Sequence, residues 1–140
     1  MIITVDPGVH ASGYAVWTDE GALEHLYYGN MLFTAFDDTL VLIEKPMVYR
    51  GSAVNPNCLI DLAVAVGGIV QQAAQNNLLA VTVFPFEWKG QVKKGVMLEH
   101  IVDQLNPKET ECLKALKLPK SKEKEVIDAL GIGLWYFNRL

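Results

Sequence analysis

Runs of apolar residues, and the polar positions between them, predict most of the secondary structure. Two short β-branched runs at 2–6 and 12–18 flank a Pro-Gly break, which is typical of antiparallel strands joined by a tight turn. A more polar run at about 22–33 suits a third strand at a solvent-facing edge. The run at 39–44 is apolar without alternation, which indicates a strand buried on both faces under helices, as in a parallel sheet, and the run at 79–84, closed by Pro85, is expected to be the fifth strand.

Helical periodicity and capping residues mark the remaining elements. Asn55 is a suitable N-cap with Pro56 at the first helical position, and the helix that follows, to about Asn76, is apolar on nearly every side. Such a helix is expected to be buried on two sides, by the sheet and by another subunit. The stretch 34–39 leaves room for one helical turn at most, and 86–95 is expected to be a loop with an aromatic residue among lysines. Further helices are expected at about 96–105, at 109–116, and from Ser121 to about residue 137.

Composition bounds the class of protein. The 140 residues suffice for one domain spanning 1–140, and their hydrophobic content of 51% predicts a thoroughly buried sheet or an apolar interface. No run approaches the ~18 consecutive apolar residues of a membrane helix, and no basic flank precedes the first apolar run, so no membrane association is expected. Cys58 and Cys112 are far apart and have no histidine nearby at ligand spacing, which favours reduced thiols in a cytoplasmic protein.

The distribution of charge is more informative than the net charge of −4. Residues 1–44 contain no Lys or Arg, whereas ten of the twelve basic residues fall between Lys89 and Arg139. An acidic total does not exclude DNA binding when the basic residues lie together. A solvated face is the alternative interpretation for the second of the two clusters. The clusters are Lys89, Lys93 and Lys94, and then Lys117, Lys120, Lys122 and Lys124.

Four carboxylates stand where predicted elements end or pack together. Asp6 and Glu44 close two strands expected in the middle of the sheet, and Asp128 lies on the last predicted helix. Glu125 precedes Asp128 by about one helical turn and therefore shares its face. A turn-capping role for Asp6 and a solvated position for Glu125 are the alternatives. Carboxylates that converge without His or Cys form a hard-oxygen site, which suits a pair of Mg²⁺ or Mn²⁺ ions and hence phosphodiester hydrolysis.

Three motifs carry a resemblance to a known family. They are Val5-Asp6-Pro7-Gly8 with Ser12-Gly13-Tyr14-Ala15-Val16, then Leu42-Ile43-Glu44-Lys45-Pro46, then Ile127-Asp128-Ala129-Leu130-Gly131-Ile132-Gly133-Leu134. In this order and at this length they resemble the RuvC-type Holliday-junction resolvases of the ribonuclease H-like superfamily. The resemblance implies an α/β, ribonuclease H-like fold, in which a mixed sheet of three antiparallel and then two parallel strands is flanked by helices.

The same resemblance assigns roles to the acidic positions. It implies that Asp6, Glu44 and Asp128 are catalytic carboxylates that bind the metal ions. Glu125 stands where the family usually has an Asp or a His, which makes it the fourth catalytic and metal-binding candidate. The implied cofactor is Mg²⁺, a pair of ions in each active site, with Mn²⁺ able to substitute.

A DNA-binding surface is also implied. In the family an aromatic residue in the loop after the glutamate strand stacks on junction bases, and here Tyr49 or Met47 would take that place, with Tyr49 preferred because it can stack. Lysines in the loop after the fifth strand are also used by the family, although that loop is shorter here. The DNA-contact candidates are Tyr49, Arg50, Lys89, Lys93 and Lys94.

Together these features imply a homodimeric, Mg²⁺-dependent endonuclease that resolves four-way junctions and related branched DNA in recombination and repair. The near absence of a helix between the third and fourth strands, with the compact and acidic chain, resembles the phage-encoded branch of the family. The expected location is the cytoplasm of a bacterial cell or of a phage-infected host, with no small-molecule cofactor.

Three other interpretations stay open. A YqgF-like ribonuclease H-fold nuclease would act on RNA, although the loop at 49–57 and the lysines after the fifth strand argue mildly against it. A binding-only protein could have lost catalysis, which the retained carboxylates disfavour. Actin-like phosphotransferases share the Asp-Gly hairpin, but they need two such domains around a nucleotide cleft, and a single domain of 140 residues cannot supply both.

Overall fold

One mixed sheet organises the molecule. The computed structural model describes residues 1–30, 33, 38–51 and 53–140. Its five strands lie in the order β3-β2-β1-β4-β5, with β1, β2 and β3 antiparallel and β4 parallel to both β1 and β5. This confirms the predicted mixed sheet. The strands are β1 (Ile2–Asp6), β2 (Ser12–Trp17), β3 (Leu23–Gly29), β4 (Leu40–Glu44) and β5 (Leu79–Val83).

The connection between β3 and β4 was expected to hold one helical turn at 34–39. Most of that stretch lies outside the described residues. The third strand itself ends at Gly29, earlier than the predicted end near 33.

The helices differ from the prediction mainly at their beginnings. Part of the expected loop at 86–95 is a short helix, which begins at Pro85 and in which Glu87 accepts a hydrogen bond from the backbone N–H of Phe84. Ser121 is not the cap of the last helix, because that helix already begins at Lys120, directly after Pro119. The helices are α1 (Pro56–Gln75), α2 (Pro85–Lys89), α3 (Lys94–Gln104), α4 (Pro107–Ala115) and α5 (Lys120–Tyr136).

Strand alternation divides the buried side chains between two faces of the sheet. Ile3 and Val5 of β1 belong to the cluster beneath α1, while Ile2 belongs to the cluster beneath α5. Since successive side chains in a strand point to opposite faces, Thr4 and Asp6 share the α5 face with Ile2. The same alternation places Leu42 and Glu44 of β4 on the α5 face. Both strand-end carboxylates therefore face the helix that carries Asp128.

Helix α1 does not have the two-sided burial predicted from its apolar sequence. Asn55 caps it as expected, through a hydrogen bond from the N–H of Asn57. Val66 and Ala73 are its buried residues, whereas the side chains of Ile60 and Val64 are 60% and 70% exposed. By length and composition the helix could also cross a membrane, so its sequence alone does not say what covers its outer face.

Candidate active site

Asp6 and Glu44 lie side by side at one end of the sheet. Their strands are parallel neighbours, with Val5 opposite Ile43, so the next residue of each strand is the carboxylate. Neighbouring strands are about 4.8 Å apart, and both side chains face α5. The turn after β1 is held by Ser12, whose Oγ accepts a hydrogen bond from the N–H of Gly8 at 3.1 Å. Asp6 makes no hydrogen bond within the described residues, so it does not act as the turn cap.

Helix α5 is fixed to the sheet next to Asp128. The hydroxyl of Thr4 donates a hydrogen bond to the carbonyl of Ala129 at 2.6 Å and accepts one from Nε1 of Trp17 at 3.1 Å. A Cβ on Gly13 would overlap the carbonyl oxygen of Glu125, so glycine is needed for β2 to pack this closely against the helix. These contacts bring Asp128, which is 2% exposed, to the two strand-end carboxylates.

Glu125 lies beside the same site on the preceding turn of α5. A Cβ on Gly8 would be 3.2 Å from its Oε2, which places the carboxylate over the turn that follows Asp6. The pKa of Glu125 is raised, mainly by burial. The ammonium groups of Lys124 and Lys94 lower this pKa in part, and the carboxylate of Asp128 raises it. The side chain is therefore not the fully solvated one of the alternative interpretation.

A lysine ammonium lies between two of the carboxylates. Nζ of Lys89 is 3.1 Å from Oε2 of Glu44 and 3.6 Å from Oδ2 of Asp128. Nζ of Lys94 is 3.5 Å from the same Oδ2, but its side chain is 60% exposed. The sequence assigned both lysines to DNA phosphates, whereas in the structure they pair with acidic groups of the site.

Trp88 is a member of this site that the sequence did not identify. Its indole N–H donates a hydrogen bond to Oε2 of Glu44 at 2.8 Å, and its ring faces the ammonium of Lys89 at 4.4 Å from the ring centroid. The available signal was Pro85 followed by Glu87, which mark the start of α2 and so indicate that Trp88 and Lys89 share one helix end.

The charges of the site are strongly interdependent. Burial raises the pKa of Asp6 well above its usual range, and the carboxylates of Asp128 and Glu44 raise it further, in that order. Burial lowers the pKa of Lys89, but the effects of Asp128, Glu44 and Asp6 exceed it, so the net shift is upward. Protons and cations are thus favoured among these carboxylates.

The residues present fit a divalent metal ion in chemical type. Oδ1 of Asp128 and Oε2 of Glu125 are buried and accept no hydrogen bond within the described residues, an arrangement that is costly unless a cation pairs with them. The donors are all carboxylates, as Mg²⁺ and Mn²⁺ prefer. No three acidic, His or Cys residues in the described parts of the chain stand at ligating distance from a common point. Instead the ammonium of Lys89 lies between the carboxylates of Glu44 and Asp128.

The other predicted DNA-contact residues lie outside this group. Tyr49 is 49% exposed, and neither it nor Arg50 contacts the carboxylates in the described structure. Lys93 is exposed at the N-cap of α3. In the second basic cluster, Nζ of Lys122 lies 5.5 Å from the ring centroid of Tyr28, at the end of α5 that also carries Glu125.

No protein-family model and no curated protein matches the chain, but solved structures do. A structure described as Fowlpox virus resolvase with substrate Holliday junction DNA matches with a TM-score of 0.58 and 14% identity, over 100% of both chains. Thermus thermophilus RuvC in complex with a Holliday junction substrate matches with a TM-score of 0.55 and 16% identity, over 96% of this chain and 90% of that one. RuvC of the same organism, in a separate structure, matches with a TM-score of 0.54 and 16% identity, over 96% and 91%.

At these identities the similarity establishes the fold. The resemblance to RuvC-type resolvases that the three motifs predict is confirmed at that level, along the whole described sheet and its helices.

Proposed function

We propose that this protein is a divalent-metal-dependent endonuclease that cuts four-way DNA junctions and related branched DNA. The observation that carries the proposal is the convergence of Asp6, Glu44 and Asp128 at one end of the sheet, on the face covered by α5. Support comes from the solved structures of this fold that contain Holliday junction DNA.

Asp6, Glu44, Asp128 and Glu125 would hold the metal. When bound there, a pair of Mg²⁺ or Mn²⁺ ions would supply the positive charge that activates water and stabilises the leaving oxygen in phosphodiester hydrolysis. The protein's own part is to fix the carboxylates before DNA arrives. The Thr4–Ala129 hydrogen bond sets the position of Asp128, and the indole of Trp88 sets that of Glu44.

DNA is bound, in this proposal, by the exposed cations around the site and by one aromatic side chain. Lys93 is exposed beside Lys94, and Arg50 and Tyr49 are exposed after β4. Lys93, Lys94 and Arg50 would contact phosphates, and the Tyr49 ring would stack on an unpaired base near the crossover.

A dimer built on α1 would present two such sites. A four-way junction has two-fold symmetry, which a symmetric dimer matches with identical active sites. The outer face of α1 exposes Ile60 and Val64, and next to it lies an apolar groove of about 310 Å³. A second copy of the same face would cover this apolar surface. The groove is lined by Pro46, Met47, Val48, Pro56, Leu59, Ile60 and Ala63.

The test compares labelled substrates with and without Mg²⁺. Incubation with a synthetic four-way junction, a linear duplex of the same arm sequence and an RNA hairpin should give cleavage of the junction alone, and only with the metal. The Asp6→Asn variant serves as the matched inactive control. Cleavage of the RNA hairpin in preference would support the ribonuclease alternative, and junction binding without cleavage would support the binding-only one; either result contradicts the proposal.

A further inference from the structure

We propose that Lys89 is a built-in counter-ion of the carboxylate site, which holds the site together without metal and must leave it when a divalent ion enters. This inference rests on the proposed function only in taking Asp6, Glu44 and Asp128 as metal ligands. It concerns what occupies the same space before the metal does.

The position of the ammonium is the first argument. Nζ of Lys89 is 3.1 Å from Glu44 and 3.6 Å from Asp128, and the side chain is 15% exposed. A lysine that serves only to bind DNA phosphates would be expected to extend into solvent, as Lys93 does. Lys89 instead lies where the carboxylates' negative charge is concentrated.

The charge balance is the second argument. Asp6 lies within electrostatic reach of Asp128 and Glu44, so three carboxylates concentrate negative charge at this end of the sheet. Lys89 interacts with all three of these carboxylates. Without it, or a metal ion in its place, the repulsion among these buried carboxylates would be left without a counter-charge.

Trp88 supplies the third argument, because it holds both partners of the ion pair. The indole N–H donates to Glu44, while the ring face attracts the ammonium of the next residue. Both side chains come from α2, whose first residue is Pro85. The ammonium is therefore positioned by a buried aromatic residue and not by its own flexible chain alone.

A metal ion that enters the site would compete with this ammonium for the same carboxylate oxygens and would be repelled by its charge. Divalent ions would therefore bind more weakly than they would to the same carboxylates without Lys89. Their binding would release the side chain of Lys89. The neighbouring Lys94 provides the contrast, because it lies 3.5 Å from Asp128 but its side chain is 60% exposed.

The experiment measures Mn²⁺ binding to the full chain without DNA, by calorimetry or by electron paramagnetic resonance of free Mn²⁺. Lys89→Met should bind Mn²⁺ at least roughly tenfold more tightly than wild type, because a unit charge a few ångströms away is removed. Lys89→Arg, which keeps the charge, should stay near wild type, and Lys94→Met should change the affinity much less. The metal-free Lys89→Met protein should also melt at a lower temperature, and Mn²⁺ should restore it.

A second measurement needs no variant. Amine acylation of the wild-type protein, mapped by mass spectrometry, should modify Lys89 several-fold faster with saturating Mn²⁺ than without it, while the exposed Lys108 serves as the internal standard. Equal or weaker Mn²⁺ binding by a folded Lys89→Met, or an unchanged acylation rate at Lys89, would overturn the inference. Absence of Mn²⁺ binding by wild type would instead overturn the proposed metal site itself.

Discussion

The two faces of the sheet are covered to different degrees, and the fully covered one is called the completed face below. On one face, α5 buries the unbroken run 126–134 against β1 and β2. On the other, α1 buries Val66 and Ala73 and leaves large apolar side chains in solvent. The candidate active site belongs to the completed face, where its geometry does not depend on a partner. If the proposed function is correct, chemistry and assembly are served by opposite faces of the same sheet.

The largest expected effect is on the completed face. Asp128→Asn should reduce junction cleavage by orders of magnitude, because it removes charge from the carboxylate that α5 brings to the sheet; Asp6→Asn and Glu44→Gln should do the same. Binding of the junction should survive, since exposed cations provide it. Glu125→Gln is the milder control. Cleavage at the wild-type rate by Asp128→Asn would contradict a metal site at this place.

Stability should distinguish the faces next. Gly13→Ala should destabilise the fold by about 3 kcal/mol or more, because the added Cβ would overlap the backbone of Glu125. Gly67→Ala on α1 is the matched control, since nothing lies within 4 Å of its added Cβ, and it should stabilise the helix by about 0.5–1 kcal/mol. Urea denaturation measures both. Equal changes in the free energy of unfolding would remove the proposed difference between the faces.

Assembly should respond only to the face of α1. Val64→Glu should convert a dimer to a monomer at micromolar concentration without lowering the stability of the single chain, because the side chain is 70% exposed. Val96→Glu on α3, at a position that is 56% exposed, is the control and should leave the dimer intact. Analytical ultracentrifugation tests both. A wild-type protein that sediments as a monomer would contradict the dimer proposal directly.

Junction preference is expected to be a smaller effect. Tyr49→Ala should lower junction binding by roughly ten- to a hundredfold, given that stacking contributes about 1–3 kcal/mol per base, and should affect duplex binding much less. Tyr136→Ala removes another exposed tyrosine, on α5, and serves as the control. Fluorescence anisotropy with both DNA shapes provides the measurement. An equal loss for junction and duplex would exclude a role for Tyr49 in reading the crossover.

The smallest expected effect is on the salt dependence of DNA binding by the exposed lysines. Lys93→Gln should lower the slope of log affinity against log salt by about 0.9 if it contacts one phosphate, for every DNA shape alike. The triple change Lys120→Gln, Lys122→Gln and Lys124→Gln tests the second cluster, which forms no ion pair within the described residues. A slope that falls only in the triple variant would locate the DNA surface at the N-terminal end of α5.

Most of the sheet could be predicted from the sequence because strand alternation and continuous burial are local signals. The runs 2–6 and 39–44 specified two strands and the carboxylate at the end of each, whereas the face of each carboxylate became clear only from the packing of the sheet. Helix α2 was missed because five residues are too few to show a helical period. The pairing of Lys89 with Glu44 depends on where that helix points, which is a property of tertiary packing and not of composition.

The predicted two-sided burial of α1 was wrong for a different reason. Apolar residues on all sides of a helix indicate that it needs cover, but they do not identify what provides it. The start of α5 was misplaced because Ser121 is a good cap by residue type, whereas the helix already begins at Lys120 and its N-cap residue, Pro119, makes no side-chain cap.

The hydrogen bond between Thr4 and Ala129 also determines when the site can form. It joins residues 125 positions apart, so it closes almost the longest loop available in this chain. Contacts of such separation carry the greatest loop-closure entropy and slow the step that makes them. Strands β1 and β4 can pair before α5 arrives, and a folding chain then holds Asp6 and Glu44 without Asp128. If the protein is the nuclease proposed above, the ability to cut DNA is the last property that the chain acquires as it folds.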